Sequence, residues 1–229
     1  NYIASDIPAI LSYTKDFYLL NDQEYAVITR ENITFYDEQL HPFEKKYQRI
    51  DWDATAAEKN GYPDFMLKEM YEQPSTVRET IGTRVTAGAP TQVDGLDFTA
   101  AQLQNLHQIY IIGCGTAMHA GLAAKPMFEH LTHIPTQVDV ASEFRYRDPL
   151  VDDRTLCIFI SQSGETADTI AALRLAKAAG AATLAVSNVI GSSITREADY
   201  TVYTHAGPEI AVASTKAYTA QVVLLAVLA

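Results

Sequence analysis

The sequence predicts an α/β fold, in which a parallel sheet flanked by helices follows a short antiparallel β segment and a helical linker. From residue 108 onward, continuous apolar runs of strand length alternate with helical patterns, which is typical of parallel strands covered on both faces. Before residue 51, brief β-branched and aromatic runs are separated by polar turns, which is typical of an antiparallel meander.

The first 50 residues contain three of these short runs, and we expect strands at residues 17–20, 25–29 and 33–36. So small a meander buries too little apolar surface to be stable alone. We therefore expect residues 1–50 to belong to a larger β-rich body. The chain lacks an initiator Met and ends on an apolar helix without a stop signal, so we expect it to be a piece of a longer protein.

Residues 51–97 are predicted to connect this segment to the rest of the chain. Residues 51–63 are polar and end in glycine and proline residues, which favours a linker. The apolar spacing over residues 64–81 predicts a helix, with a kink or a break at Pro74, because proline lacks the N–H that an interior helical turn requires. Residues 85–97 contain further glycines and are predicted to form a second loop.

Residues 98–229 carry the alternation itself, which begins with a capping box at Thr99 and Gln102 and a short helix. The strands are predicted at residues 108–112, 136–140, 156–160, 182–186 and 200–204. The helical segments are predicted at residues 116–131, 142–147, 166–179, 192–198 and 215–229. Ligands of such sheets bind at the carboxyl ends of the strands, so we expect the functional residues in the loops that follow them.

The charge balance argues against nucleic acid and anionic membranes as partners. The chain has 17 basic and 28 acidic side chains, a formal net charge of −11, and most of the excess acid lies in residues 1–97. Its two cysteines lie in apolar runs, which indicates reduced thiols and a cytoplasmic location. We expect neither a signal peptide nor a membrane-spanning segment, because the last apolar run is too short.

The loop after the third strand of the predicted sheet is the strongest candidate for a ligand site. It is rich in hydrogen-bond donors, namely the hydroxyls of Ser161, Ser163 and Thr166 and the amide of Gln162. Gly164 allows backbone N–H groups to converge, and the loop leads into a helix whose N-terminus favours a phosphate. No Lys or Arg adjoins the loop, so we expect a neutral phosphate cradle. An ordinary serine-rich helix cap accounts for the same residues, and both interpretations stay open.

The loop after the first strand has the beginning of a dinucleotide-binding fingerprint. Gly113 and Gly115 are in place, but Met118 occupies the position of the third glycine, which weakens this interpretation. Asp139 is a candidate for the acidic residue that contacts a ribose, so a dehydrogenase is an alternative. Cys114 is either a nucleophile at a strand end or a small packed residue, and packing is the more common role.

Three further groups of polar residues have both a structural and a functional interpretation. Lys216 either neutralises a ligand or forms a salt bridge with Glu209. His130 and His133 lack partners in register, so we expect a solvated helix face there and no metal site. A polar cluster after the second strand is either a subunit interface or a charged turn. Its members are Glu143, Arg145, Tyr146 and Arg147. No cofactor is predicted.

Four motifs in residues 98–229 form a specific combination. They are residues 114–116 (Cys-Gly-Thr), 141–147 (Ala-Ser-Glu-Phe-Arg-Tyr-Arg), 161–169 (Ser-Gln-Ser-Gly-Glu-Thr-Ala-Asp-Thr) and 212–216 (Val-Ala-Ser-Thr-Lys). Together they resemble the first sugar isomerase (SIS) domain of the glutamine–fructose-6-phosphate aminotransferase family. Residues 66–74 resemble the helix that opens the synthase half of these enzymes, and residues 1–50 resemble the tail of their glutaminase domain.

This resemblance implies a SIS-type sheet, a reaction and a set of ligand contacts. Glutamine is hydrolysed in one domain of these enzymes, and the ammonia converts fructose 6-phosphate to glucosamine 6-phosphate. The resemblance assigns the sugar phosphate to Ser161, Gln162, Ser163 and Thr166, and the sugar to Thr116, Ala117, Val212 and Ser214. The family often has Ser where this chain has Ala117, so one hydroxyl contact is lost, although the backbone N–H at this position is still expected to serve.

The resemblance also implies a division of labour. Residues 1–50 correspond to the glutaminase tail, 51–97 to the linker and lead-in helix, and 98–229 to the first SIS domain, cut at its carboxyl end. The glutaminase nucleophile and the acid–base residues of a second SIS domain are expected elsewhere, so we assign no catalytic residue here and expect the chain alone to be inactive. The expected partners are fructose 6-phosphate or glucosamine 6-phosphate, the two other domains and a second copy in a homodimer. The alternative is a regulatory SIS module that binds a phosphosugar without catalysis.

Overall fold

The computed structural model describes residues 2–4, 10–11, 13–21, 23–50, 59–89 and 91–229. Its internal contacts divide the chain into two compact units, Asn1–Tyr62 and Pro63–Ala229. Part of the predicted linker, residues 51–58, lies outside the described residues.

The first unit consists of short antiparallel strands, as its alternating runs and turns predict. The strands are β1 (Asp16–Phe17), β2 (Tyr25–Ile28), β3 (Ile33–Tyr36), β4 (Pro42–Phe43) and β5 (Gln48–Arg49). Strands β2, β3 and β4 form one antiparallel sheet, and β1 pairs with β5. The strand expected at residues 17–20 is thus shorter and begins earlier. Strands β4 and β5 escape prediction because two residues are too few to show an alternation.

The second unit is built on a five-stranded parallel sheet, which confirms the predicted fold class. Its strands are β6 (Gln108–Gly113), β7 (Thr136–Val140), β8 (Thr155–Ser161), β9 (Ala182–Ser187) and β10 (Tyr200–Tyr203). Their spatial order is β10-β9-β8-β6-β7. Strand β7 therefore lies on one side of β6, and β8, β9 and β10 follow one another on the other side. The carboxyl ends of β6 and β8 form a topological switch point, where sheets of this order bind ligands.

The described residues of the second unit contain seven helices. They are α1 (Phe65–Ile81), α2 (Ala100–Asn105), α3 (Thr116–Thr132), α4 (Ala141–Tyr146), α5 (Ala167–Ala178), α6 (Ser193–Glu197) and α7 (Lys216–Leu228). The predicted capping box is present at the start of α2, where the Thr99 hydroxyl accepts a hydrogen bond from the Gln102 N–H at 3.2 Å. The predicted segments of this unit match the observed ones to within two residues at most ends.

Both faces of the sheet are covered, and successive residues of each strand contribute to opposite cores. On one face, Ile111 packs in a cluster with Phe128 of α3 and Leu224 of α7. On the other face, Ile112 packs in a cluster with Phe144 of α4. This explains why the strands are continuous apolar runs. Packing on both faces also fixes the carboxyl ends of the strands, from which the loops of the candidate site begin.

Helix α1 continues through Pro74, so the expected break does not occur. Because Pro74 has no N–H, the carbonyl of Met70 loses its usual helical donor. The side chain of Gln73 replaces it, since its Nε2 donates to the Met70 oxygen at 3.2 Å. The Oε1 atom of the same side chain accepts a hydrogen bond from the Thr219 hydroxyl at 2.6 Å. Gln73 therefore supplies the donor that Pro74 lacks within α1, and it also links α1 to α7.

We expect Gln73→Ala to lower the free energy of unfolding by about 1 kcal/mol, because it leaves the Met70 carbonyl and the Thr219 hydroxyl without this partner. Adding Pro74→Ala to this variant restores an N–H at position 74 and removes a helix-breaking residue, so the double variant is expected to be the more stable of the two. Urea unfolding measures both changes. Ser75→Ala, on the exposed side of the same turn, is the control. A double variant no more stable than Gln73→Ala contradicts this role of Gln73.

Candidate functional site

The loops after β6 and β8 meet at the topological switch point. In the sheet register, Gly113 at the end of β6 lies opposite Ile160, one residue before the end of β8. The Cys114 sulfur, just beyond β6, lies 3.8 Å from the Thr169 hydroxyl in the first turn of α5. Helices α3 and α5 therefore both begin at this switch point, and we use the name crevice for the space between these two helix starts, beside Cys114 and Thr169.

The hydroxyls of the loop after β8 fold it into a compact turn. Ser161 is buried, and its Oγ accepts a hydrogen bond from the Gly164 N–H at 3.0 Å and lies 3.2 Å from the Thr166 hydroxyl. The Ser163 Oγ accepts a hydrogen bond from the Glu165 N–H at 3.2 Å. These bonds support the loop itself and leave the hydroxyl proton of Ser163 as a potential donor. The hydroxyl proton of Thr166 is a potential donor when Ser161 donates the hydrogen bond between the two.

The first turn of α5 is not capped by a side chain. Thr166 is the residue at the N-cap, but its hydroxyl makes no hydrogen bond to the helix amides. An uncapped N-terminus presents N–H donors and a partial positive charge, which together suit an anion. Helix α3 begins in the same way at Gly115, again without a side-chain cap. Of the two interpretations drawn from the sequence, this favours the phosphate cradle over the ordinary helix cap.

The fold brings one cation closer to this helix start than the sequence suggests. Asp168, in the first turn of α5, forms an ion pair with Arg145 of α4 at 3.3 Å. Both side chains are about half exposed, so the pair adds little to stability. Its effect on the site is electrostatic, because the guanidinium offsets the negative charge of Asp168 beside the crevice.

Gly164 is the point at which this loop touches its neighbour. Its φ of +71° is in the left-handed region, and a Cβ added there would lie 2.0 Å from the Ser192 Oγ. The Gly164 carbonyl accepts a hydrogen bond from the Ile194 N–H at 3.1 Å, and the Glu165 carboxylate accepts one from the Ser193 N–H at 2.8 Å. The start of α6 therefore packs directly against the loop, and only glycine fits between them.

Asn188, which the sequence analysis did not single out, joins three of the strand-end loops. It is 5% exposed and follows β9 directly. Its backbone N–H donates to the Gln162 carbonyl at 3.2 Å, in the loop after β8. Its side chain donates to the Gly207 carbonyl at 2.7 Å and accepts from the Thr204 hydroxyl at 3.0 Å and the Ala206 N–H at 2.9 Å. The only signal in the sequence was an Asn at a strand end, which is common in turns.

The connection between β10 and α7, residues 204–215, is held from two sides. Glu69 of α1 is buried, and its Oε1 accepts hydrogen bonds from the N–H groups of Ile210 and Ala211 at 2.6 and 3.1 Å. Glu209 accepts from the N–H groups of Thr215 and Ala217 at 2.8 and 3.1 Å. Glu209 is thereby an N-terminal cap of α7.

The structure corrects the salt bridge suggested between Lys216 and Glu209. Lys216 is 3% exposed, and its Nζ donates instead to Glu72 of α1 at 2.7 Å. Lys68 contacts the other oxygen of Glu72 at 3.2 Å. Burial opposes ionisation of Glu72, but the hydrogen bonds and charges of the two lysines outweigh it and lower the pKa of this carboxyl. The charge of Lys216 is therefore paired with Glu72 of α1.

The residues predicted to contact a sugar fall into two places. Thr116 and Ala117 lie at the start of α3, beside the switch point. Thr116 is exposed, whereas Ala117 is buried and its N–H already donates to the Cys114 carbonyl at 3.2 Å. Val212 is fully exposed and Ser214 is half-buried, both in the connection after β10. The described hydrogen bonds attach this connection to α1, Asn188 and α7. The sugar contacts of Thr116, Ala117, Val212 and Ser214 stay predictions.

The two arginines of the polar cluster after β7 each form an ion pair, Arg145 with Asp168 and Arg147 with Asp139. Asp139 is almost fully buried, and its carboxylate is in close contact with the Arg147 guanidinium. Burial raises the pKa of Asp139, and the positive charge of Arg147 opposes this shift in part. Because Asp139 is paired with Arg147, it is poorly placed to bind a ribose, which weakens the dehydrogenase interpretation.

The remaining candidates have structural environments. His133 ends α3 with a left-handed φ of +58°. Cys157 is buried in the sheet, and this burial raises the pKa of its thiol to about 12. Over the described ranges, no three His, Cys, Asp or Glu side chains are grouped so as to hold a metal ion. Over the same ranges, no helix is both long and apolar enough to cross a membrane.

Comparisons with known sequences agree with the motifs. The family model described as the SIS domain matches residues 102–229. Glutamine–fructose-6-phosphate aminotransferase (isomerizing) of Clostridium acetobutylicum is 54% identical over 228 residues, which cover 100% of this chain and 38% of that protein. The protein of the same name from Thermus thermophilus is 48% identical over 229 residues, covering 100% of this chain and 37% of its own length. The chain thus spans little more than a third of the length of these curated relatives.

Comparisons with solved structures give the same result. The C-terminal domain of glucosamine-fructose-6-phosphate aminotransferase from Francisella tularensis matches with a TM-score of 0.69 and 44% identity, over 74% of this chain and 48% of that chain. Glucosamine-6-phosphate deaminase from Thermotoga maritima matches with a TM-score of 0.58 and 20% identity, over 72% of this chain and 47% of that chain. The second likeness concerns the fold alone. The first confirms the resemblance inferred from the four motifs.

We expect Gly164→Ala to destabilise the protein more than Gly88→Ala. Both glycines have positive φ, so each substitution costs about 1–2 kcal/mol of backbone strain. A Cβ at position 88 meets nothing within 4 Å, whereas one at position 164 collides with Ser192 and costs about 1–3 kcal/mol more. Urea unfolding of both variants measures the difference. Equal losses would mean that the start of α6 moves aside freely and does not brace the loop.

Proposed function

Since this chain belongs to the sugar isomerase (SIS) domain family, we propose that it binds the phosphate end of a phosphosugar at the switch point between β6 and β8. The observation that carries this proposal is the loop after β8, where serine and threonine hydroxyls precede an uncapped helix N-terminus. We further propose that the phosphosugar is fructose 6-phosphate or glucosamine 6-phosphate, in accord with the names of the relatives that match the whole chain.

The proposed cradle works through short-range contacts. A net charge of −11 gives no general attraction for an anion, so the phosphate depends on donors already in place. The amides of the first turn of α5 supply part of them, and the hydroxyls of Ser163 and Thr166 and the Gln162 amide supply the rest. Ser161 supports the loop through its bond to the Gly164 N–H. Arg145 neutralises Asp168, so this carboxylate does not repel the ligand.

The sugar extends from this anchor toward Thr116 at the start of α3 and toward Val212 and Ser214 in the connection after β10. This arrangement orients the sugar by its phosphate and by the two flanking segments, and it requires no proton transfer by a described side chain. The Ala117 N–H is already bonded to the Cys114 carbonyl, so Ala117 donates no hydrogen bond to the sugar in this proposal.

We propose that the complete protein makes glucosamine 6-phosphate from fructose 6-phosphate and glutamine. In this proposal residues 1–50 belong to a glutamine amidotransferase domain, residues 51–97 form the linker and lead-in helix, and residues 98–229 are the first of two SIS domains. The catalytic groups for glutamine hydrolysis and isomerisation are placed in the other domains. A homodimer in the cytoplasm completes the proposal, and two unpaired cysteines are in accord with a reducing compartment.

We expect Ser163→Ala and Thr166→Ala each to weaken binding of fructose 6-phosphate by about tenfold to a hundredfold, since each removes a hydrogen bond to a charged group worth about 1.5–3 kcal/mol. Isothermal titration calorimetry with fructose 6-phosphate and glucosamine 6-phosphate measures the change. Ser75→Ala on α1 is the control and is expected to bind normally. Unchanged affinity in both site variants would place the phosphate elsewhere, and binding of NAD but of neither sugar would favour the dehydrogenase.

We expect residues 1–229 to bind the sugar phosphate without forming glucosamine 6-phosphate from fructose 6-phosphate and either glutamine or ammonium. The reason is that the proposal assigns the catalytic groups to other domains. A coupled colorimetric assay for the amino sugar measures product, with a complete relative as the positive control. Appreciable turnover by these residues alone would show that they contain the catalytic groups.

A further inference from the structure

Helix α1 contacts β10, α7 and the connection between them along most of its length. Five side chains, all from α1 or the turn that follows it, make these contacts. Glu69 accepts hydrogen bonds from the Ile210 and Ala211 amides. Glu72 pairs with Lys216, and Gln73 accepts a hydrogen bond from Thr219. Thr80 and Arg84 donate to the carbonyls of Thr204 and Tyr203, respectively. The first four lie at helical spacing on one face of α1.

Glu69 differs from the other four because it is the one that holds the backbone in the middle of the connection. It is 1% exposed, and a carboxylate so deeply buried requires hydrogen bonds to offset its lost hydration. The N–H groups of Ile210 and Ala211 provide two, at 2.6 and 3.1 Å, and bonds to a charged acceptor are stronger than those between neutral groups. The carboxylate thereby fixes two consecutive peptide units.

The fixed peptide units lie immediately before the exposed part of the connection. Val212, the next residue, is fully exposed, and Ser214 is half-buried. Beyond them, Glu209 and Lys216 fasten the start of α7. The segment from Val212 to Ser214 is thus a short bridge between two fastened ends, so its position depends on where Glu69 holds the first of them.

We propose that Glu69 is a positioning residue for the sugar end of the ligand, acting through the backbone of Ile210 and Ala211 to hold Val212 and Ser214 toward the crevice. This inference rests on the proposed function. The phosphate cradle after β8 makes no described hydrogen bond to Glu69, so loss of Glu69 affects the sugar contacts and not the phosphate contacts. A loosened connection would have to be ordered on binding, which lowers the affinity for the sugar phosphate.

The test compares two ligands on matched variants. Glu69→Met keeps the length and the burial of the side chain but removes the acceptor, and Glu69→Gln keeps one oxygen that accepts from the same amides. We expect Glu69→Met to weaken binding of glucosamine 6-phosphate about tenfold while binding of inorganic phosphate changes less than about twofold, and we expect Glu69→Gln to recover most of the loss. Gln73→Ala, which loosens α7 from the same helix face, is the control and should leave the ratio of the two affinities unchanged.

The outcomes separate the inference from the function on which it rests. If the unsubstituted chain binds neither ligand, the proposed function is wrong. If it binds both, and Glu69→Met weakens both equally or neither, the cradle stands and the positioning role is wrong. Hydrogen exchange in the unsubstituted chain gives a result that does not depend on the folding of any variant. The inference expects the Ile210 and Ala211 amides to be protected in the absence of ligand, and exchange as fast as in an unstructured peptide would overturn it.

Discussion

The arrangement of the loops around the crevice depends on one buried residue, Asn188, through its backbone N–H and its side-chain amide. Strands β8, β9 and β10 end side by side, and Asn188, in the loop after β9, bonds to the loops of both neighbouring strands, β8 and β10. The side-chain bonds to Thr204, Ala206 and Gly207 lie in buried or half-buried surroundings, so truncating the Asn188 side chain would leave three polar groups without this partner at once. The site therefore has one arrangement in which all of these bonds are made.

Electrostatics and topology act together at this site. The switch point brings the starts of α3 and α5 to one crevice, and neither helix is capped by a side chain. Fixed backbone dipoles can thus attract an anion in a chain whose net charge is −11. Two lysines, Lys68 and Lys216, are buried around Glu72, and the pair between Lys216 and Glu72 holds α7 to α1. The buried lysines therefore stabilise the packing of α1 against α7, and the proposed phosphate site consists of donors without formal charge.

The sequence was a good guide to elements and a poor one to polar pairings. The strands of the second unit are largely apolar on both faces, and they alternate with segments of helical pattern, so local patterns suffice to predict them. The partners of Glu69, Lys216 and Arg84 lie between 119 and 144 residues away along the chain, and no local pattern encodes which charged groups meet. The hydrogen bond between Gln73 of α1 and Thr219 of α7 likewise forms only because the fold brings the two helices together. The positions of the loops in the sheet could therefore be predicted from the sequence, whereas the side chains that hold these loops could not.

The contrast between the two thiols has a practical consequence for following this protein in solution. Cys157 lies within the sheet, where reagents cannot reach it, and its pKa of about 12 keeps it protonated. Cys114 is half-buried at the end of β6, beside Thr169 and the crevice. Thiol-directed dyes react with accessible thiolates, so labelling discriminates between these two positions without any engineered cysteine. A fluorophore attached in this way would stand at the mouth of the crevice and report its occupation optically.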